Sequence, residues 1–325
     1  MIITQTPLRI SFAGGGTDFK GFYEKEYGSV VSTAIDKYIY VVIKERFDDL
    51  IRVGYTRTEM VQSVNEIQHE LAREAMRMVG IDKGIEIATM ADVPSEGSGL
   101  GSSSTVTVGL LNALYAYRGE AVTAERLARE ACQIEIDILG KPIGKQDQYI
   151  AAYGGLRHFK FYANEEVEVN TIGLDEAARQ RLNESLLLFY TGVTRKSSEV
   201  LSEQRSNIAG RMQLLVEMRD QGDELARLLK LGAIASLGQT LREGWNRKRQ
   251  LASTISNPHI DGLVETAVSA GALGCKVTGA GGGGFFLVCT PPENRATVRK
   301  KLSQLRELPI ALARDGSKII FNVRR

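Results

Sequence analysis

The 325-residue sequence is poor in the residues that zinc sites and disulfides require, with three cysteines and three histidines. The cysteines are odd in number and scattered, which favours reduced thiols in a cytoplasmic protein. Cys132 falls in a helical pattern and Cys289 ends a strand pattern, so we expect both to pack in the core. The histidines His69, His158 and His259 show no metal-ligand spacing, and no zinc site is expected.

The sequence also lacks an excess of charge and long apolar segments. Lysine and arginine number 41 against 39 aspartates and glutamates, so the composition predicts neither a nucleic-acid partner nor an anionic membrane surface. The start of the chain has no basic region or long apolar run, and we expect no signal peptide or transmembrane segment. Apolar residues make up 43% and charged residues 25%, as in ordinary globular proteins.

Two familiar phosphate-binding patterns are absent or out of place. No G-x-x-x-x-G-K-[ST] string occurs. Residues 279–284 satisfy G-x-G-x-x-G, but the aromatic and β-branched run 285–289 that follows is typical of a strand. Because the dinucleotide pattern must open a helix, that interpretation fails on context.

A glycine- and serine-rich stretch, residues 94–105, is the most informative segment present. Gly97, Gly99 and Gly101 alternate and are followed at once by serines and an apolar helical run. Glycine permits positive φ and close approach of a ligand, and a helix start presents free N–H groups to an anion. The stretch therefore predicts a cradle for a nucleotide polyphosphate, with a flexible linker as the alternative.

The hydrophobic periodicity predicts an α+β fold with mainly antiparallel strands. We expect two domains, residues 1–180 and residues 181–325, with a ligand cleft between them. Strands are expected at 2–7, 8–13, 29–34, 38–44, 84–88, 156–161 and 186–190, and near both 275–286 and the end of the chain. Helices are expected at 66–79, 103–117, 123–139, 146–153, 196–218, 223–231, 237–255, 260–270 and 293–305. Thr123 is the expected N-cap of its helix.

Two carboxylates form a candidate chemical constellation. Glu135 projects on or beside the apolar stripe of its helix, where a carboxylate must be paired, solvated in a cleft or bound to a metal. A carboxylate with a serine hydroxyl suits Mg²⁺, and a salt bridge at a domain edge is the alternative. Asp147, twelve residues later, could orient or deprotonate a substrate hydroxyl. Lys145 beside it could keep Asp147 ionised and stabilise the charge of a transferring phosphate.

Three glycine-containing segments, residues 7–18, 94–105 and 276–285, together with Glu135 and Asp147-Gln148, resemble the motifs of the GHMP kinase superfamily. The resemblance spans nearly the whole chain. It implies an N-terminal domain like ribosomal protein S5 domain 2, a ferredoxin-like C-terminal domain, and ATP with Mg²⁺ as cofactors. ATP phosphates would bind Gly97, Ser98, Gly99, Leu100, Gly101, Ser102, Ser103 and Ser104.

The same resemblance assigns roles to individual residues. Ser103 and Glu135 match the Mg²⁺ ligands, and Asp147 matches the catalytic aspartate. Residues 279–284 would support the phosphate loop and close the cleft. The acceptor substrate would contact Asp147 and residues of the first and third glycine-containing segments. These residues are Arg9, Gly15, Gly16, Thr17, Asp18, Gly281 and Gly282. Galactokinases carry a Glu-His pair where Gly15-Gly16 stand, which argues against galactose.

Within that superfamily, residues 14–18, 28–36 and 190–199 look most like the heptose kinases. Such enzymes phosphorylate the anomeric hydroxyl of D-glycero-D-manno-heptose 7-phosphate in nucleotide-heptose synthesis, and fucose-salvage kinases are a further, weaker resemblance. Arg195 and Lys196, at a helix start, would hold the substrate phosphate, or would form a solvated cationic pair. Trp245 is expected in the core beside a solvated charged face that includes Lys248.

The predicted partner is thus a small sugar phosphate, bound by a monomer or homodimer. A free-sugar 1-kinase and a catalytically silent regulator on the same scaffold are the alternatives.

Overall fold

The computed structural model describes residues 1–94, 97–194 and 196–323. Its larger sheet has eight strands, in the order β12-β1-β2-β5-β3-β4, and β6 pairs with both β2 and β7. The strands are β1 (Ile2–Ala13), β2 (Gly28–Glu45), β3 (Ile51–Gly54), β4 (Thr58–Val61), β5 (Ile85–Ala91), β6 (Leu156–Phe161), β7 (Val167–Thr171) and β12 (Lys318–Asn322).

The expected breaks within 2–13 and 29–44 are wrong, since β1 and β2 are each continuous. The β1–β2 ladder instead shifts register between Pro7 and Arg9 and again between Ser11 and Ala13. Such bulges absorb a proline, which has no N–H to donate, without ending the strand. The first half of β2 pairs with β6 and the second half with β5. The prediction for β6 is confirmed at both ends.

The helices of the first half are α1 (Lys20–Tyr23), α2 (Glu70–Val79), α3 (Ser102–Arg118), α4 (Ala124–Cys132), α5 (Gln146–Tyr153) and α6 (Glu176–Ser185). Among them, the largely buried α3 lies against β1 and β2, α5 also contacts these strands, α2 packs on α3, and α4 packs on α5. Thr123 caps α4, as predicted, by accepting a hydrogen bond from the backbone N–H of Arg126 at 3.2 Å. The end of the predicted helix 123–139 is a π-helical turn, Gln133–Ile138, which contains Glu135.

The second sheet has four antiparallel strands in the order β11-β8-β10-β9. They are β8 (Leu186–Tyr190), β9 (Gly274–Val277), β10 (Phe285–Cys289) and β11 (Arg306–Glu307), and the prediction for β8 is confirmed. The remaining helices are α7 (Ser197–Asn207), α8 (Met212–Lys230), α9 (Ser236–Lys248), α10 (Pro258–Ser269) and α11 (Arg295–Lys301). The predicted helix 196–218 is wrong, because a short turn at Ala209–Arg211 separates α7 from α8. Glycine is a poor helix former, and Gly210 lies in that turn.

Strand β8 is buried on both faces, which links two hydrophobic cores. Leu186 and Leu188 pack in the first core, whereas Leu187 and Phe189 pack in the second. This alternation follows from the two-residue period of a strand. The final strand β12 returns to pair with β1 in the first sheet. The domain boundary between residues 180 and 181 stays a prediction.

The three cysteines are free and buried, and Cys132 and Cys289 lie in the core as expected. Burial raises the pKa of each thiol, for Cys275 to about 12 and for Cys289 to about 11. Within the described ranges, no helix combines the length and apolar content needed to cross a bilayer.

A polar cluster around Asp223 joins helix α8 of the second half to the first sheet. The Asp223 carboxylate accepts hydrogen bonds from Tyr27 (2.7 Å), Ser29 (2.8 Å) and His158 (3.0 Å). Burial alone would raise the pKa of Asp223. The bonds from His158, Tyr27 and Ser29 outweigh burial and hold that pKa well below its ordinary value of 3.8. The ionised carboxylate therefore stabilises the contact between the two halves.

We predict that Asp223→Asn lowers the free energy of unfolding by about 1–3 kcal/mol at neutral pH. A depressed pKa stabilises the fold above the ordinary pKa of 3.8, and this contribution is lost as the pH falls below it. The difference between wild type and variant should therefore shrink below about pH 4. Urea unfolding at several pH values measures it, with the exposed neighbour Asp220→Asn as control. A difference that stays constant from pH 7 to pH 3 would contradict the assignment.

Candidate active site

The glycine-rich loop has the conformation that its sequence requires. The φ angles of Gly97, Gly99 and Gly101 are +66°, +74° and +79°, in the left-handed region that favours glycine. Helix α3 begins at Ser102, directly after Gly101, so its free N–H groups face the loop. The predicted phosphate-binding residues from Gly97 to Ser104 are thereby brought to one helix start.

The third glycine segment packs directly on this loop. A Cβ on Gly279 would lie 2.6 Å from the Cα of Gly99, and a Cβ on Gly99 would lie 2.5 Å from the carbonyl oxygen of Thr278. The backbone N–H of Phe285 donates to the carbonyl of Ser98 at 3.1 Å. Since side chains on these glycines would force the backbones apart, the contact explains why both segments contain glycine.

Gly281 and Gly282, expected near the acceptor, instead lie against Ile255. The N–H of Gly282 donates to the Ile255 carbonyl at 2.7 Å, and a Cβ on Gly281 would approach the Ile255 side chain to 2.8 Å. The part of this loop that lines the cavity beside Asp147 is Gly279 and Ala280.

Asp147 lies at the phosphate loop, held by Arg9. The guanidinium of Arg9 donates through Nε and Nη2 to the two carboxylate oxygens of Asp147, both at 2.7 Å. Its Nη1 donates to the carbonyl of Gly99 at 2.6 Å. A Cβ on Gly101 would lie 3.4 Å from Asp147 Oδ2. A bidentate pair of this kind fixes both position and orientation of the carboxylate.

Asp18 connects the first glycine segment to the start of α5, the helix that carries Asp147. Its buried carboxylate accepts from the N–H of Gly16 at 2.9 Å and from the N–H and amide of Gln146 at 3.2 Å. Burial raises the pKa of Asp18, aided by the nearby negative charge of Asp147 and opposed by the backbone N–H bonds. Thr17, also expected at the acceptor, donates to the carbonyls of Gly14 and Ser29, and so stabilises the turn.

Glu135 and Ser103 lie side by side at the other end of the loop. Glu135 is completely buried, and its carboxylate accepts from Ser103 Oγ at 2.5 Å and Gln148 Nε2 at 3.1 Å. The ammonium of Lys141 lies 3.1 Å from Ser103 Oγ and 3.6 Å from Glu135 Oε2. Burial raises the pKa of Glu135, while Lys141 and the hydrogen-bond donors oppose that shift.

This oxygen donor set fits Mg²⁺, which takes one or two protein oxygens and completes its shell with water and phosphate. A cation, Lys141, already lies beside both oxygens. The described residues contain no cluster of three or more His, Cys, Asp or Glu side chains that could hold a metal by themselves. Ser103 and Glu135 would therefore hold the ion only together with the nucleotide.

One predicted residue, Lys145, is placed differently from expectation. The ammonium of Lys145 pairs with Glu165 and lies 4.7 Å from the centre of the Tyr23 ring, in a cavity other than the one at Asp147. Its side chain is therefore not positioned to act on Asp147 in this conformation. Lys196 is exposed and directly precedes α7, which agrees with its predicted place at a helix start. Arg195 lies outside the described residues.

Two buried lysines were missed from the sequence. Lys248 and Lys276 line a cavity of about 60 Å³, together with Arg9, Asp18 and Asp147. The expectation that Lys248 lies on a solvated face is wrong, because Lys248 shares the buried face of α9 with Trp245. Their i, i+3 spacing was the available signal.

A second cavity, of about 680 Å³, opens at the start of α3. Its walls combine apolar side chains with the rings of Tyr55 and His69 and the hydroxyls of the helix start, from Ile39, Leu71, Ser102, Ser103 and Val106 among others. The volume is typical of a pocket for a small organic ligand.

Comparison with known proteins identifies the family to which the chain belongs. The model of the GHMP kinases N terminal domain matches residues 60–155, which contain the phosphate loop, Glu135 and Asp147. The model of the GHMP kinases C terminal domain matches residues 225–307, which contain Lys248 and the third glycine segment.

Individual relatives agree with these matches. The D-glycero-alpha-D-manno-heptose 7-phosphate kinase of Campylobacter jejuni is 28% identical over 315 residues, covering 93% of each chain. The L-fucokinase/L-fucose-1-P guanylyltransferase of Bacteroides fragilis is 25% identical, over 92% of this chain and 36% of that protein.

The fold has a close counterpart among solved structures. The crystal structure of a D-glycero-D-manno-heptose 1-phosphate kinase from Bacteroides thetaiotaomicron superimposes with a TM-score of 0.84 over the full length of both chains, at 24% identity. The expected two-domain α+β fold is thereby confirmed. The two domain models match in their expected order over more than half of the sequence, so the chain belongs to the GHMP kinases and is a phosphotransferase.

Proposed function

We propose that this protein transfers the γ-phosphate of ATP to the anomeric hydroxyl of D-glycero-D-manno-heptose 7-phosphate, giving the 1,7-bisphosphate. The observation that carries the proposal is the Asp147 carboxylate, fixed by Arg9 directly beside the phosphate loop. The similarity to a heptose 7-phosphate kinase over 93% of the chain supports the choice of acceptor.

The nucleotide would occupy the cavity at the start of α3. ATP is the phosphate donor of GHMP kinases, and its base and ribose would lie among Ile39, Tyr55 and Leu71. The triphosphate would then reach the N–H groups of the glycine loop and of α3, where the helix dipole favours negative charge. Mg²⁺ held by Ser103 and Glu135 would neutralise phosphate charge.

On the acceptor side, Asp147 would receive the proton of the attacking hydroxyl. The hydroxyl oxygen forms a bond to the γ-phosphorus, the bond from that phosphorus to the bridging oxygen breaks, and ADP leaves. Arg9 keeps the carboxylate oriented through two charge-assisted bonds while it also contacts the Gly99 carbonyl. Asp18 and Gln146 hold the start of α5, and so set the distance between Asp147 and the loop.

The acceptor is tested by comparing kcat/KM for heptose 7-phosphate with that for free mannose, fucose and galactose, using a coupled assay of ADP release. We expect heptose 7-phosphate to have the highest value. A free hexose as the best acceptor would replace this proposal by a fucokinase-like activity, in line with the L-fucokinase relative. ATP binding without turnover of any acceptor would favour a regulator.

Asp147→Asn is expected to lower kcat by about 10²–10⁴-fold and to leave the KM for ATP nearly unchanged. The reason is that the carboxylate acts on the acceptor hydroxyl and not on the nucleotide. Steady-state kinetics of the folded variant measure it, and the exposed Asp82→Asn serves as control. Near-normal turnover of Asp147→Asn would remove this residue from the mechanism.

Glu135→Gln should raise the Mg²⁺ concentration needed for half-maximal activity by about tenfold or more, because one oxygen ligand loses its charge. A Mg²⁺ titration at saturating ATP measures the change. The exposed Asp137, on the same π-helical turn, provides the matched control Asp137→Asn. If the Mg²⁺ dependence of Glu135→Gln equals that of wild type, Glu135 is not a metal ligand.

A further inference from the structure

The cavity beside Asp147 contains two buried ammonium groups without a partner of opposite charge. Lys248 Nζ donates to the carbonyl of Gly279 at 2.5 Å, and Lys276 Nζ donates to the carbonyl of Ser11 at 3.0 Å. Among the described residues, neither forms an ion pair. A buried charge without a counter-charge is costly, so the arrangement is most favourable when an anion enters the cavity.

The charges that surround these lysines do not balance. Asp147 is already neutralised by its bidentate pair with Arg9, and Asp18 is held by N–H groups of Gly16 and Gln146. Burial lowers the pKa of Lys248 to about 8, helped by repulsion from Arg9 and opposed by Asp18 and Asp147. Burial also places the pKa of Lys276 well below its usual value. An incoming anion would favour the charged form of both.

Further polar groups converge on the space at Gly15. A Cβ built on Gly15 would lie 3.5 Å from Gln146 Nε2, 3.6 Å from Ser11 Oγ and 4.0 Å from Lys248 Nζ. Ser11 Oγ is buried and has no hydrogen-bond partner among the described residues, so its hydroxyl is available to donate to an anion. The missing side chain at Gly15 thus leaves a space bordered by an ammonium, an amide and a hydroxyl.

We propose that Lys248, with Lys276 behind it, binds a phosphate group in this space at Gly15. The inference rests on the proposed kinase function and adds a phosphate ligand on the second half of the chain. A cavity of about 60 Å³ admits a single group of this kind and is far below the roughly 300–1,000 Å³ of a whole-ligand pocket. The phosphate belongs either to the acceptor sugar or to the phosphoryl group in transfer.

Two variants of Lys248 test the proposal. Lys248→Met removes the charge at similar length, and Lys248→Arg retains a charge. The control is Arg247→Met at the preceding residue of α9, whose guanidinium contacts Glu217 and Glu243. We expect Lys248→Met to lose about 10- to 100-fold in kcat/KM for heptose 7-phosphate, with the KM for ATP unchanged.

Equilibrium binding distinguishes the two sources of phosphate. If the acceptor carries it, Lys248→Met weakens the binding of heptose 7-phosphate measured by calorimetry without nucleotide. If the phosphoryl group in transfer is the ligand, that binding is unchanged and only kcat falls. Wild-type values for Lys248→Met in both measurements would overturn the proposal.

The pH profile separates a phosphate ligand from a structural lysine. The ammonium of Lys248 loses its proton as the pH rises through about 8, so wild-type kcat/KM should fall above that pH. Arg9, Asp18, Asp147 and Lys276 face Lys248 and are unchanged in the variant. Lys248→Arg should retain activity to higher pH, because a guanidinium stays protonated. An alkaline limb at the same pH in both proteins would count against the role of Lys248.

Gly15→Ala tests the same space independently, should Lys248→Met fold poorly. Its Cβ would make only ordinary contacts, at 3.5 Å or more, so the variant is expected to fold. The methyl group would occupy the phosphate position and should lower kcat/KM for the acceptor by about tenfold or more. Unaltered kinetics of folded Gly15→Ala would contradict the location.

Failure of the proposed function has a different signature. If wild type does not turn over heptose 7-phosphate, that function is wrong, and Lys248→Met is then compared on the acceptor that wins the panel and on inorganic phosphate binding. Equal binding of inorganic phosphate by wild type and Lys248→Met, with equal turnover of that acceptor, would overturn the Lys248 inference as well.

Discussion

The close backbone contact between two glycine loops is the constraint on which the active site depends. The loop at Gly97–Gly101 and the loop at Gly279–Gly284 approach so closely that a single Cβ at Gly99 or Gly279 would collide with the opposite backbone. This contact joins the start of α3, in the first half of the chain, to the β9–β10 connection in the second half. The position of the glycine loop at the start of α3 is therefore set by packing against the second half of the chain.

Arg9 couples the position of the glycine loop to the position of Asp147. One guanidinium contacts the carbonyl of Gly99 and both oxygens of Asp147, so the loop and the candidate base are held by the same side chain. Asp18 holds two backbone segments together, because its carboxylate accepts hydrogen bonds from the N–H groups of Gly16 and Gln146. Two carboxylates near each other repel, and the fold compensates with Arg9 at Asp147 and with N–H groups at Asp18.

The site thus requires both halves of the chain. Asp147, Arg9, Ser103 and Glu135 belong to the first half, whereas α7, α9 and the third glycine loop close the cavity from the second. The two-faced burial of β8 and the Asp223 cluster fix how the halves meet. A change in that packing would alter the position of Lys248 relative to Asp147, although neither residue contributes to the interface cores.

Local pattern was enough to predict the features that depend on near neighbours. Strands β6 and β8 and helix α5 follow from periodicity and flanking glycines, and the phosphate loop follows from alternating glycines before a helix start. The resemblance of three spaced motifs then predicted the fold and assigned roles to Ser103, Glu135 and Asp147. Strands β3, β4 and β7 were missed, because they are short and mix polar with apolar residues, whereas the equally short β8 is a continuous apolar and aromatic run.

Tertiary structure alone decided which charged side chains are buried and where they point. Lysine at position 145 or 248 has the same intrinsic preference for solvent, yet Lys145 turns to Glu165 and Lys248 enters the cavity. Burial of Lys276 depends on packing between residues far apart along the chain, because its ammonium donates to the carbonyl of Ser11. The sequence by itself determined the conformation of the glycine loop before α3 and the order of the elements, since those arise from local backbone preferences. Only the fold determined the charge balance of the cavity, because electrostatic energy depends on distances in space and not along the chain.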